Sequence, residues 1–291
     1  IDKDEEAYYE ESVSPHDIFK KVFARLKLPS QMVSIEMTKT IGTDNVLFYL
    51  QNLALGILSK SGGVPWILEK PMDGVDCFIG LDVGTQQKGI HYPACSVCLG
   101  AQGNLIKYYT TPAVQQGEKI NASTLEDIFN KILIAYQDNN NGRLPEHIVI
   151  HRDGFSNENM DWYIHYFESK HIRFDLVEVK KFVSRRLLDN ARQNFDCNPA
   201  SGIAAIKGNE AYLITTEVKP YLGSPQPIHL VHRHGALPME NIVKQIYVLS
   251  EMHTGSMRTS RLPLTTLYAD KICKNHDYVP INQLLSELYF L

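Results

Sequence analysis

Ile79-Gly80-Leu81-Asp82-Val83-Gly84 and His147-Ile148-Val149-Ile150-His151-Arg152-Asp153-Gly154 decide how this sequence folds. Each is a short apolar run that stops at an aspartate followed closely by a glycine. Runs this short, without strict polar–apolar alternation, suit strands covered on both faces of a sheet. A carboxylate is costly inside such a layer, so Asp82 and Asp153 are expected where their strands end, at a sheet edge or a site. Two strands that each end in Asp can bring the carboxylates together. Paired hard oxygen ligands suit Mg2+ or Mn2+, and two such ions about 4 Å apart stabilise both the attacking and the leaving oxygen in phosphodiester cleavage. The alternative is turn chemistry, since Asp-Gly and Asp-Val-Gly commonly open turns. Spacing leaves both readings open.

Outward from these runs, Val75 to Val83, Tyr92 to Leu99 and Leu105 to Thr111 read as strands, the last two joined by a hairpin at Gly100 to Asn104. A helix follows from Ser123 to Gln137, then the strand His147 to His151 and a helix from Ser156 to Lys170. Later strands are expected at Phe174 to Val179, Ala211 to Thr215 and Ile228 to His232, and helices at Pro238 to Glu251, Pro263 to Lys274 and Ile281 to Tyr289. This order describes an α/β fold, a mixed sheet flanked by helices. Upstream, Ser14-Pro15 opens a helix with Ile18, Phe19, Val22, Phe23 and Leu26 at helical spacing. A second helix runs from Asp44, a good N-cap, to Lys60 and stops at Gly62-Gly63. Val64 to Leu68 reads as a short strand and Glu69 to Gly74 as a seam, which divides the chain into a helical segment, 1–72, and a sheet domain, 73–291.

The 291 residues are 44% hydrophobic and 21% charged, enough apolar material for a sizeable core. No apolar run approaches the roughly 18 residues of a membrane span. The chain opens without Met or a signal-like segment, and is expected to be a piece of a longer, soluble, cytoplasmic protein. A net charge of -4 argues mildly against a nucleic-acid partner, although a local groove can be basic on an acidic molecule. The odd, scattered set of five cysteines fits a reducing compartment. Cys95 and Cys98 form a C-x-x-C without a second pair and lie in an apolar strand, so they read as core.

Five landmarks in fixed order carry a resemblance: Ala54-Leu55-Gly56-Ile57-Leu58-Ser59-Lys60, Gly80-Leu81-Asp82-Val83-Gly84, Gly117-Glu118-Lys119-Ile120, His151-Arg152-Asp153-Gly154, and Arg261-Leu262-Pro263-Leu264 running into Tyr268-Ala269-Asp270. From Asn52 to Leu291 the chain resembles the C-terminal part of long prokaryotic Argonautes. The resemblance implies the end of a MID region over 1–72 and an RNase H-like PIWI domain over 73–291. It also implies a metal-dependent endonuclease that cuts the strand paired to a bound 5′-phosphorylated guide, with Asp82, Glu118, Asp153 and Asp270 as the acidic tetrad. The implied partners are guide and target strands of DNA or RNA and the remaining MID, PAZ and N-terminal domains. A non-cleaving guide-binding module, or another RNase H-like nuclease such as a transposase or resolvase, is the alternative.

Two tetrad positions have rivals. Glu126 also lies between Asp82 and Asp153, but Ser123-Thr124-Leu125-Glu126 reads as a capping box, which gives it a structural task. Glu118 follows Gln115-Gln116-Gly117, a loop free to move, and is preferred. Asp270 alone would read as a solvated carboxylate on a helix face. At the guide end, the resemblance assigns Gln31, Lys60 and the Leu291 carboxylate to the 5′-phosphate, the last also to a possible metal there. Lys60 reads equally well as a cation favoured by the end of its helix. The tyrosine and lysine that the family carries upstream are expected to lie outside this chain, and Gly56 stands where eukaryotic relatives carry a basic residue. Arg258, Arg261, Lys180, Lys181, Arg185 and Arg186 are candidates for contacts to the nucleic-acid backbone.

Overall fold

A computed structural model describes residues 14–39, 41–43, 46–87, 90–112, 117, 119–189, 197–219 and 222–291. In chain order its helices are α1 (Pro15–Arg25), α2 (Ile35–Thr38), α3 (Val46–Lys60), α4 (Ala122–Asn139), α5 (Met160–Glu168), α6 (Met239–Glu251) and α7 (Leu264–Lys274). The strands are β1 (Cys77–Gln87), β2 (Ile90–Gly100), β3 (Leu105–Thr110), β4 (His147–Asp153), β5 (Arg173–Lys180), β6 (Ala204–Lys207), β7 (Glu210–Leu213), β8 (Ile228–His234) and β9 (Leu284–Leu285). Among the described residues they form one sheet in the order β6-β7-β8-β5-β4-β1-β2-β3-β9. β1, β4 and β5 are parallel neighbours at its centre, and the flanking pairs are antiparallel.

Period-two alternation along the central strands divides the core into two layers. Phe78 and Val149 face one layer, with Ile242, Ile246, Leu249, Tyr268 and Ile272 of α6 and α7. Cys77, Ile79, Leu81, Ile148 and Ile150 face the other, with Ile128, Phe129 and Ile132 of α4 and Tyr163 and Phe167 of α5. Both faces are covered, which is why these strands read as unbroken apolar runs. The two cysteines divide in the same way: Cys95 faces α7, with its Sγ 2.7 Å from that of Cys273, and Cys98 lies in the opposite layer. Both are buried.

Several elements differ from the sequence reading. Val64 to Leu68 does not form a strand; Leu68 N–H bonds to Gln102 O, and Met72 N–H to Ala101 O, so the segment is a strap across the β2–β3 turn. Pro65 has no N–H to offer a ladder. The expected helix over Ile281 to Tyr289 is absent: Leu285 pairs with Tyr108 in β9, and Leu288, Tyr289 and Phe290 plug the core. Their apolar spacing imitates a helix face but serves burial from an irregular segment. The capping box is also corrected, because Asn121, not Ser123, caps α4 through Thr124 N–H, and Glu126 is exposed. α5 starts at Met160 rather than Ser156, with Asn159 as its cap. The proposed cap Asp44 lies outside the described residues.

Candidate functional site

The parallel pairing of β1 with β4 runs from Cys77↔Ile148 to Leu81↔Arg152. Asp82 and Asp153 are the next residues on each strand and share the face that α7 covers. β4 ends at Asp153 as expected, but β1 continues to Gln87, so Asp82 is a mid-strand residue rather than a strand end. Its pairing on the β4 side stops, while Asp82↔Cys95 continues toward β2. Gly80, two residues earlier on the same face, explains how close α7 comes: a methyl group there would collide with the Thr265 carbonyl. Thr265 Oγ1 also lies 2.8 Å from His151 Nδ1, which fastens the start of α7 to β4. Further along the helix, Asp270 completes a cluster in which ligand oxygens of Asp82, Asp153 and Asp270 all lie within 4.8 Å of one another.

The three carboxylates differ electrostatically. Burial, reinforced by the Asp153 charge, raises the Asp82 carboxyl to about 8. Burial also raises Asp153, against the pull of Lys181. Asp270 is lowered, since hydrogen bonds from Lys181 and Lys274 outweigh its own burial. Lys181 Nζ lies 2.7 Å from Asp153 Oδ2 and 2.5 Å from Asp270 Oδ1, and Lys274 Nζ lies 2.6 Å from Asp270 Oδ2. Asp153 Oδ1 is buried with no hydrogen-bond partner. An orphaned carboxylate oxygen is costly in a protein interior, and hard oxygens converging at this spacing form the donor set a Mg2+ or Mn2+ ion accepts. The residues present therefore fit such an ion.

Glu118 lies outside the described residues, but Ile120 is placed. Its N–H bonds to Glu158 Oε1, which also receives Arg152 Nε at 3.3 Å, while Ser156 Oγ bonds to Glu158 Oε2. Arg152 Nη1 in turn donates to the carbonyl of Asp153. This buried network ties the segment after Glu118 to the β4 strand that carries Asp153. Sequence reading missed Glu158, whose only signal was a charged residue before the α5 apolar pattern.

A second cluster forms where α1 and α3 meet Leu291. Lys60 Nζ bonds to Gln31 Oε1 at 2.6 Å, and Lys20 Nζ donates to the carbonyls of Ser30 and Leu291. Gly56 makes room for this arrangement, because a Cβ there would sit 2.9 Å from Gln31 Oε1. Lys271 joins the wall of the adjoining cleft, which measures about 720 Å³ and also includes Leu291. Burial first, then the neighbouring Lys20 and Lys271 charges, lowers Lys60 to about 7. Burial lowers Lys20 and Lys271 as well. Lys20 adds a buried lysine to this cluster that sequence reading did not single out.

The other basic candidates are dispersed. Lys181 is inside the carboxylate cluster. Lys180 pairs with Glu178 and lies over the Phe155 ring. Arg185 stacks over Tyr212 and Arg258 over Phe48. Arg186 bonds to main-chain carbonyls of its own segment. Arg261 holds Gln226 and the main-chain carbonyl of Lys181.

An open mixed sheet with carboxylates on two adjacent parallel strands and on the helix crossing them defines an RNase H-like protein, and solved structures share this architecture. A Piwi domain profile matches residues 8–279. The chain belongs to the Piwi domain family. It is 27% identical over 263 residues to the Argonaute of Aquifex aeolicus, covering 89% of this chain and 35% of that protein. It is 25% identical over 267 residues to the Argonaute of Thermus thermophilus, covering 91% and 37%. Among solved structures, Clostridium butyricum Argonaute bound to a guide DNA (5′ deoxycytidine) and a 19-mer target DNA superposes with a TM-score of 0.90 at 44% identity, covering 95% of this chain and 37% of that one. The chain thus spans about a third of the length of the curated relatives it matches. No described helix is long and apolar enough to cross a membrane.

Proposed function

We propose that this chain is the guide-anchoring and cutting part of an Argonaute-type endonuclease, with its MID end over 1–72 and its PIWI domain over 73–291. The observation that carries the reading is the convergence of Asp82, Asp153 and Asp270. Asp82, Asp153 and Asp270 would hold Mg2+ or Mn2+, which would supply Lewis-acid stabilisation of the attacking and leaving oxygens of a phosphodiester. The chain's own residues do the rest. β1 and β4 hold Asp82 and Asp153 in register, α7 brings Asp270 over them, and Glu118 is the fourth carboxylate. Arg152, buried between Asp153 and Glu158, fixes the strand end from behind. In the second cluster, Lys20, Lys60 and Gln31 hold the 5′-phosphate of a guide, and Leu291 assists beside them, where a metal ion would also find room.

The Clostridium butyricum relative, bound to guide and target DNA, makes that pairing the first to test. The purified protein is loaded with 5′-phosphorylated DNA or RNA guides and offered labelled DNA and RNA targets with Mn2+ or Mg2+. Guide-dependent cutting at one position, lost on chelation and in Asp82→Ala and Asp153→Ala, is expected. Guide and target binding without cutting under every condition would leave a binding module and sink the nuclease.

A further inference from the structure

Lys181 stands apart from the other basic residues. Its ammonium lies between Asp153 and Asp270, within hydrogen-bond distance of one oxygen from each. That is the position from which a cation bridges two carboxylates. The residue is also fixed from behind: Arg261 donates to its carbonyl, and it directly follows β5, whose Val179 carbonyl receives Gly154 N–H. Neighbouring Lys180 points the other way, to Glu178. Lys274 offers a comparison, because it reaches only the outer oxygen of Asp270 and its side chain is 70% exposed, against 24% for Lys181.

We infer that Lys181 is a positioning residue that gathers Asp153 and Asp270 before metal binds and competes with the metal for their oxygens. The inference rests on reading the three carboxylates as a metal site. Carboxylates this close repel one another, and an ammonium between them keeps the cluster assembled during folding. Once a divalent ion is bound, the local charge balance reverses, so Lys181 leaves those oxygens. Its removal therefore has opposite effects on two measurable quantities: it loosens the protein in chelator and tightens metal binding. A lysine serving only as a structural ion-pair partner would make both worse.

The test is Mn2+ binding by calorimetry, together with melting in EDTA and in saturating Mn2+, on the wild type, Lys181→Gln, Lys181→Arg and Lys274→Gln. Lys181→Gln is expected to bind Mn2+ about ten-fold more tightly, a change of about 1.4 kcal/mol. It should melt some 2–4 °C lower in EDTA and close to the wild type in Mn2+. Lys181→Arg keeps the charge and should resemble the wild type, and Lys274→Gln should change affinity no more than two- to three-fold, as an exposed ion pair does. If Lys181→Gln does not fold in EDTA, Mn2+ should rescue it, and failure of that rescue overturns the proposal. So does unchanged or weaker Mn2+ binding in Lys181→Gln, or an equal gain in Lys274→Gln. Absence of Mn2+ binding in the wild type overturns the metal site itself, which separates the two failures.

Discussion

At the scale of single residues, burial has placed several groups far from their usual protonation. Asp82, raised to about 8, keeps a proton in the folded protein that the unfolded chain releases near 4. Stability in chelator should therefore fall as pH climbs between those values, since over that range the folded state binds more protons. Asp82→Asn has no proton to release. Its stability advantage over the wild type should grow from pH 5 to pH 8 and then level off, reaching roughly 1–3 kcal/mol. Urea melts in EDTA across that range measure it, and a difference independent of pH would show that Asp82 titrates normally. Lys60 carries the opposite sign. Lowered to about 7, it is charged below that pH and neutral above, so the preference for 5′-phosphorylated over 5′-hydroxyl guides should shrink from pH 7 to pH 9. Lys60→Ala should lose roughly ten-fold or more of that preference at pH 6.5 and show little pH dependence. Equal weakening for both guide types would assign Lys60 to folding.

At the scale of elements, α7 is the part that assembles the carboxylates, and Gly80 is what lets it approach. Gly80→Ala forces the Thr265 carbonyl away, an overpacking that should cost roughly 1–3 kcal/mol. Because Asp270 rides on the same helix, Mn2+ affinity should fall with stability; a destabilised variant with unchanged affinity would mean that α7 adjusts locally. The two apolar runs were legible because both-face burial leaves an unbroken apolar signature, whereas their aspartates read equally well as turn residues until the resemblance favoured a site. Asp270 was legible only through the order of landmarks, since nothing in a helix's own sequence tells which neighbouring strand its polar face meets. The ion pairs of Lys181 were not legible for a related reason: its partners come from residues 28 and 89 positions away. The final segment misled most, since its apolar spacing suits either a helix or a plug and only the space left open beside β3 decides.

At the scale of the molecule, a net charge of -4 conceals local clustering, with Asp82, Asp153 and Asp270 gathered in one place and Lys20, Lys60 and Lys271 in another. A total charge averages over that separation, which is why composition argued mildly against the proposed partner. On the proposed reading, the fourth carboxylate is Glu118, assigned through the resemblance. Single-turnover cleavage by Glu118→Gln and Glu126→Gln at saturating guide and target distinguishes the candidates. Glu126 is exposed on α4 and not part of a capping box, so its Gln variant should cut at nearly the wild-type rate. Glu118→Gln should slow by two or more orders of magnitude, about 3 kcal/mol of lost barrier reduction, with its melting temperature unchanged. The reverse outcome would give the role to Glu126.

Asp270 and Lys271 are adjacent on α7, yet one belongs to the carboxylate cluster and the other to the wall of the basic cleft. A single rigid rod thus fixes the span between the two sites, as a caliper fixes the gap between its jaws. On the proposed reading, the cut falls a set number of nucleotides from the anchored guide end, whatever the length of either strand. Guides trimmed or extended at the far end should therefore leave the product boundary where it was, while removing nucleotides from the anchored end should move it by the same number along the target.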